Sequence, residues 1–95
     1  MDSSPPPASF TPKQGQYLAF IHAYACIFGR APAEADMQRH FRVSPPSVHQ
    51  MVLNLERAGL IRRTPGAARS IELLIAPENL PTLTAQTVKT SVQRY

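Results

Sequence analysis

Hydrophobic residues between positions 18 and 55 recur three and four positions apart, the spacing that places side chains on one face of a helix. In the first of three such stretches, the recurring residues are Leu18, Ile21, Tyr24, Ala25 and Phe28. Thr11 followed by Pro12 predicts the start of this helix, because threonine caps free backbone amides and proline is tolerated at the first helical position. Gly29 predicts that the helix ends at about Phe28.

A second, shorter helix is predicted from about Ala33. Met37 and Phe41 lie four positions apart and form its buried side. The acidic side chains of Glu34 and Asp36 suit its first turn, where the helix dipole is positive. This helix should have about two turns.

The third helix is predicted to begin after Ser44, whose hydroxyl can cap a first turn that contains Pro45 and Pro46. Two successive prolines are tolerated only at such a position. The predicted buried stripe of this helix consists of Val48, Met51, Val52 and Leu55. The helix should end at Gly59.

Residues 60–64 and 70–75 have the composition of two short strands, and Pro65 and Gly66 predict a turn between them. The order of elements is therefore three helices followed by a hairpin. We expect an α+β protein that is mainly α, with the winged helix-turn-helix architecture of three helices and a two-stranded β-hairpin wing.

The predicted domain occupies residues 10–76. Residues 1–9 are rich in serine and proline and should form a disordered N-terminal arm, because they cannot bury enough apolar surface to offset the entropy of ordering. Residues 77–95 form a C-terminal tail with few hydrophobic anchors. Two alternatives stay open for this tail: disorder, or a short docking helix from about Thr84.

Positive charge is concentrated in the second half of the predicted domain. The chain of 95 residues has a formal charge of +4, and the segment from Arg39 to Arg69 contains one acid, Glu56. The six arginines of this segment are Arg39, Arg42, Arg57, Arg62, Arg63 and Arg69. Because the planar guanidinium suits phosphate oxygens and guanine edges, the segment favours an anionic partner such as DNA. We expect Arg69, at the end of the wing turn, to reach a phosphate.

Several other classes of protein are disfavoured. A single cysteine, Cys26, cannot form an internal disulfide, which favours the reducing cytoplasm. The longest apolar stretch, from Tyr17 to Phe28, is shorter than the roughly 20 residues of a membrane span, so a soluble protein is expected. No motif for a nucleophile, paired carboxylates, a metal or a phosphate-binding loop is present, so we expect no enzyme activity, metal or cofactor. No pocket for a small-molecule effector is evident.

The first turns of the third helix carry a set of side chains suited to reading bases. If Val48 and Met51 face inward, the outward positions are Pro46, Ser47, His49 and Gln50. Gln50 can bond adenine with two hydrogen bonds, and His49 can donate to guanine. The Ser47 hydroxyl can bond a base or a phosphate, and Pro46 offers an apolar contact to a thymine methyl group.

The segment from Phe10 to Leu74 resembles the N-terminal DNA-binding domain of the LexA repressor family. The resemblance rests on Thr11-Pro12-Lys13-Gln14, Ser44-Pro45, Leu55-Glu56-Arg57-Ala58-Gly59-Leu60-Ile61 and the wing segment from Pro65 to Leu73. It implies that the wing approaches phosphates and that the operator-reading positions are Ser44, Pro46, Ser47, His49 and Gln50. The family usually has an acidic, asparagine-containing turn there, so a different operator is expected. The family's C-terminal protease domain is absent from these 95 residues, and self-cleavage is not expected.

We therefore predict a sequence-specific regulator of transcription, a repressor, that binds double-stranded DNA as a homodimer in a bacterial-type cytoplasm, associated with the nucleoid. The predicted DNA-binding residues are Ser44, Pro46, Ser47, His49, Gln50, Arg39, Arg42, Arg62, Arg63 and Arg69. Helix 1 is our hypothesis for the dimer surface, on the face that contains Ala19 and Cys26. The alternative is a winged-helix interaction module whose basic face binds an acidic protein, since fold does not determine function.

Overall fold

Three helices are followed by a two-stranded antiparallel sheet, in the order that the sequence predicts. The structure is a computed structural model, and it describes residues 9–84. Its elements are α1 (Pro12–Phe28), α2 (Glu34–Phe41), α3 (Pro45–Arg57), β1 (Ile61–Arg62), β2 (Glu72–Leu73) and a 3-10 helix (Pro77–Asn79). The predicted fold class, a mainly helical winged helix, is confirmed.

Local hydrogen bonds form the helix starts at the predicted residues. The Thr11 hydroxyl accepts a hydrogen bond from the Gln14 amide, and the Gln14 side chain accepts one from the Thr11 amide, which is a complete capping box. The Ser44 hydroxyl accepts from the Ser47 amide at 3.3 Å and caps α3. At the other end of α3, Gly59 has a φ of +78°, a conformation that glycine adopts without steric cost.

The hydrophobic core lies where the three helices meet the base of the wing. Its buried members are Tyr17, Leu18, Ile21, Met37, Val48, Val52, Leu55, Leu60, Ile61 and Ile75. The ring of Tyr17 stacks on that of Phe41 with 4.0 Å between centroids, which joins α1 to α2. The helix-3 stripe is confirmed except that Met51 is only half-buried.

The prediction for the buried face of α1 is partly wrong. Phe28, placed in the buried stripe, has 58% of its surface exposed, whereas Tyr17, which the stripe omitted, is buried. Ala19, assigned to the outer face, is also buried, while Cys26 is exposed. The burial pattern differs because the first two-thirds of α1 pack on the core, whereas the last turn of the helix extends beyond the core. One end of the proposed helix-1 dimer face, at Ala19, is therefore covered, whereas Cys26 at its other end is exposed.

The wing is shorter than predicted. Only Ile61 pairs with Leu73 and Arg62 with Glu72. Beyond this ladder the Ser70 hydroxyl accepts from the Thr64 amide at 2.9 Å and donates to the Thr64 carbonyl at 3.1 Å, so a side chain replaces the backbone partner. In the connecting turn, Gly66 has a φ of +80°. The turn requires this left-handed backbone conformation, which glycine adopts readily.

Residues 77–84 continue from the wing to the N-terminal half of α1. The Gln16 side chain donates to the Thr82 carbonyl and accepts from the Thr84 amide, both at 2.9 Å. Leu80 packs against the core. The predicted disorder of the first eight residues and the predicted docking helix after Thr84 lie outside the described residues.

Within residues 9–84, no helix has the length and apolar character needed to cross a membrane.

Candidate nucleic-acid interface

A tight connection joins α2 to α3. Arg42 adopts a left-handed backbone with a φ of 58°, and its amide donates to the Gln38 carbonyl at 2.8 Å. The Val43 amide donates to the same carbonyl at 3.3 Å, and Ser44 then begins α3. This pattern ends one helix and starts the next within three residues. The two helices pack directly on each other, so the N-terminal turns of α3 are held at a fixed place on the surface.

The predicted base-reading side chains are exposed. Val48 is fully buried and anchors the helix, whereas Pro46, Ser47, His49 and Gln50 are all exposed. Ser44, at the cap, is exposed as well. We call residues 46–50 the reading turn. The division into buried and exposed positions, which followed from helical spacing, is confirmed.

Each polar side chain of the reading turn has a partner that holds its orientation. The Ser44 and Ser47 hydroxyls are 3.0 Å apart. The His49 Nδ1 atom lies 3.1 Å and 3.3 Å from the two carboxylate oxygens of Glu34, at the start of α2. The Gln50 amide nitrogen donates to the Asn54 side-chain oxygen at 3.1 Å. Asn54 is not among the residues predicted from the sequence, although its spacing of four residues from Gln50 indicates that the two side chains can meet on the helix.

Three of the arginines predicted to bind DNA form ion pairs on the surface. Arg62 bonds Glu72 across the sheet through two nitrogens, at 2.8 Å and 3.0 Å. Arg63 bonds Glu56 at 3.0 Å, and Arg39 bonds the carboxylate of Asp36. Of these three, the side chains of Arg39 and Arg62 remain 72% and 65% exposed and can reach other anions as well.

Arg42 differs from these three arginines. Its side chain is exposed and makes no hydrogen bond or ion pair within residues 9–84. It lies in the connection between α2 and α3, directly before the reading turn. Its positive charge therefore has no acidic partner among the described residues.

Arg69, which the sequence predicts to reach a phosphate from the end of the wing turn, is bonded to the helices in the structure. Its φ of +54° turns the side chain toward the helices instead of toward solvent. There one guanidinium nitrogen donates to the carboxylate of Asp36 at 2.9 Å, the hydroxyl of Tyr24 at 3.1 Å and the carbonyl of Ala31 at 3.3 Å. Arg69 thereby joins the wing to α1 and α2.

Asp36 is the buried carboxylate at the centre of this junction. It is 8% exposed and accepts hydrogen bonds from the Ala33 amide at 2.8 Å, from Arg69 and from Arg39. The backbone hydrogen bond from Ala33 and the nearby Arg69 hold the pKa of Asp36 below its ordinary value of 3.8. From the sequence, Asp36 is predicted only to lie in the first turn of α2, because a partner 33 residues away leaves no local signal.

His40, one turn later on α2, is packed between aromatic rings. Its ring stacks on Phe20 with centroids 4.4 Å apart and meets the edge of Phe41 at 4.6 Å. The Nε2 atom is buried and has no hydrogen-bond partner among the described residues. Burial lowers the pKa of His40 from its ordinary value of 6.5, so the ring is held neutral.

No group of three or more His, Cys, Asp or Glu side chains with the arrangement of a metal site occurs in residues 9–84. His22 and Cys26 approach each other on α1, with 3.6 Å between Nε2 and Sγ. Two ligands of this kind on one exposed helix face do not make a structural metal site.

A helix-turn-helix with an exposed reading turn, followed by a short antiparallel wing, defines a winged helix-turn-helix domain. Residues 8–70 match the family model described as the LexA DNA binding domain. The chain belongs to this family.

Individual relatives support the same assignment. The chain is 39% identical over 70 residues to the LexA repressor of Thermosipho africanus, an alignment that covers 74% of this chain and 35% of that protein. It is 38% identical over 65 residues to the LexA repressor of Geobacter metallireducens, covering 67% of this chain and 32% of the relative. The chain thus spans about a third of the length of the curated relatives that it matches.

Proposed function

We propose that this chain binds double-stranded DNA in a sequence-specific manner and represses transcription by occupying an operator. The observation that carries the proposal is the exposed reading turn on a helix anchored by Val48 and Val52. Membership of the LexA DNA-binding family supports it, as do relatives named repressors. A surface that only docks an acidic protein would not need exposed serine, histidine and glutamine side chains in this turn, which favours DNA over the interaction-module alternative.

The proposed contacts divide into two groups. Side chains of the reading turn enter the major groove, where Gln50 bonds a base edge and Pro46 contacts a thymine methyl group. Ser44 and Ser47 present hydroxyls at the N-terminus of α3, where the helix dipole attracts phosphate. Phosphates are also bound by Arg39, Arg42, Arg62 and Arg63. We assign Arg69 a different role, that of holding the wing in position.

We also propose that two copies bind together to an operator with two half-sites. One small module buries too little DNA surface to give high affinity by itself, and two-fold operators match two-fold protein dimers. Half-sites should then be separated by about one helical turn of DNA or a multiple of it. Such a repressor would act on the nucleoid in the cytoplasm, without catalysis.

The proposal is tested by selecting bound sequences from a random duplex library at moderate salt. The expected result is enrichment of one palindromic motif, with affinity that falls steeply as salt is raised. A variant with Ser47, His49 and Gln50 replaced by alanine should lose the motif and retain weak, salt-sensitive binding. Wild-type protein that enriches no motif would contradict the proposal and favour the acidic-protein alternative.

A further inference from the structure

One hydrogen bond between side chains connects the reading turn to the preceding helix. His49 projects from α3, with its side chain 53% exposed, and its Nδ1 atom lies 3.1 Å from a carboxylate oxygen of Glu34, the first residue of α2. The second carboxylate oxygen is 3.3 Å away. The Glu34 side chain is itself two-thirds covered, since only 33% of it is exposed, so it has less freedom than a surface acid.

This contact determines where the histidine proton lies. An ionised carboxylate can only accept hydrogen bonds, so the Nδ1 atom that faces it must carry the proton. In a neutral imidazole one nitrogen is a donor and the other an acceptor. The Nε2 atom, on the far side of the ring from Glu34, is then left with a lone pair and no proton.

We propose that Glu34 is a positioning residue that holds neutral His49 in the Nδ1–H form, so that Nε2 accepts a hydrogen bond from the exocyclic amine of adenine or cytosine. This inference rests on the proposed function. In the major groove, only adenine N6 and cytosine N4 present hydrogen-bond donors, whereas guanine and thymine present acceptors. The pair therefore makes His49 select an amine-bearing base, the reverse of the donation to guanine that the sequence suggested.

This role accounts for the presence of an acidic residue, Glu34, beside the proposed DNA-binding surface. Glu34 places a negative charge close to the approaching phosphates, which by itself weakens binding to every sequence. A carboxylate that fixes the proton of a base-reading histidine lowers the affinity for all duplexes but increases the discrimination between bases.

The first test uses the free protein and needs no DNA. Nitrogen NMR shifts of the His49 ring distinguish the Nδ1–H, Nε2–H and doubly protonated forms, and they are measured in the buffer used for DNA binding. Wild-type protein is expected to show Nδ1–H, and Glu34→Ala to shift the population toward Nε2–H. Glu78→Ala, which removes an exposed acid in the 3-10 helix outside the helix-turn-helix, is the matched control and should leave the shifts unchanged. A wild-type ring in the Nε2–H or doubly protonated form would overturn the inference.

The second test reads the base preference from the duplex selection. His49→Ala identifies the operator position that depends on His49, and wild-type protein should require adenine or cytosine there. Glu34→Ala should reduce that preference about tenfold, within the range that one good base contact provides, while binding to unrelated duplexes becomes tighter. Glu78→Ala should keep the wild-type preference.

The outcomes separate the two proposals. Guanine or thymine at the His49-dependent position, or an unchanged preference in Glu34→Ala, would overturn the role of Glu34 while leaving DNA binding intact. Failure of wild-type protein to enrich any motif would overturn the proposed function itself, and with it this base preference.

Discussion

Asp36 and His40 lie one turn apart on α2, and each is held in one protonation state by its surroundings. Asp36 is kept ionised by the Ala33 amide and Arg69, and His40 is kept neutral by burial among aromatic rings. On unfolding, these surroundings are lost and the pKa of each group returns to its ordinary value. The stability of the domain should therefore fall with acid in two separate ranges of pH.

Replacing His40 with phenylalanine should remove the upper range. The folded-state pKa of His40 lies below 6.5, so the unfolded chain takes up the proton more readily. Stability is then fully present above about pH 6.5 and falls as the pH drops toward the folded-state pKa. His40→Phe should abolish this fall and, because the unpartnered Nε2 is gone, raise the unfolding free energy near neutral pH by about 1 kcal/mol. Urea unfolding between pH 5 and 8 measures both effects.

A substitution at the other half-buried histidine of the domain provides the control. His22→Gln, on α1, leaves the aromatic surroundings of His40 unchanged and should keep the wild-type pH dependence. If His40→Phe also kept it, the stacked, neutral state of His40 would not be the cause.

Replacing Asp36 with asparagine should remove the lower range. The folded-state pKa of Asp36 lies below 3.8, so its contribution is present above about pH 3.8 and is lost as the pH falls through the folded-state value. Asp36→Asn should unfold more easily at pH 7, by about 2 kcal/mol, because hydrogen bonds to a charged group are lost. Its stability should change less than that of wild-type protein between pH 4 and 2. Thermal unfolding followed across that range checks this, and equal slopes for the two proteins would refute it.

The helices are the elements whose limits the sequence predicts well. Thr11 with Gln14 and Ser44 with Ser47 form the caps expected of them, because a capping bond joins residues only three positions apart. The wing is predicted less well. Two residues pair in each strand instead of the five or six expected, since Ser70 takes over the pairing with Thr64 and Arg69 turns away from the ladder.

The helix caps Thr11 and Ser44 allow an effect on stability to be separated from an effect on DNA binding. Thr11→Ala and Ser44→Ala should each lower the unfolding free energy by about 1 kcal/mol, because each leaves a helix-terminal amide without its partner. Only Ser44→Ala should also weaken operator binding, since Thr11 lies at the start of α1 and Ser44 adjoins the reading turn. Urea unfolding and fluorescence anisotropy with the selected duplex measure the two quantities. Equal losses of operator affinity would argue against a direct role of Ser44.

At the scale of the whole molecule, Arg69 connects three separate parts. Its guanidinium joins the wing to Tyr24 on α1, to the Ala31 carbonyl and to Asp36 on α2. The wing ladder itself is only two residue pairs long, so these contacts add to the packing of Ile61 and Leu73 on the core in holding the wing against the helices. From the sequence, Arg69 is expected at the end of the wing turn, within reach of a phosphate, and its partners on the helices are not predicted.

The salt dependence of DNA binding distinguishes this structural role from a phosphate contact. Arg69→Ala should lower the melting temperature and the affinity for all duplexes, with an unchanged slope of log affinity against log salt. Arg42→Gly removes an exposed charge, and glycine suits the left-handed backbone at this position. It should reduce the magnitude of that slope by about 0.9, the value for one phosphate contact. A reduced slope for Arg69→Ala would show that Arg69 binds phosphate after all.

The fold class, the limits of the helices and the exposed side of α3 can be predicted from the residues alone. These features depend on capping bonds and hydrophobic spacing within a few residues, which are visible along the chain. The pairing of polar side chains depends on the folded arrangement, because Glu34 and His49 are 15 residues apart in the sequence and Asp36 and Arg69 are 33 apart. A hydrogen bond forms only within about 3 Å, so its partners become known when the fold brings them together. For the same reason, the segment that contains six arginines includes the exposed Arg42, whose side chain has no partner among the described residues, and Arg69, which joins the wing to the helices.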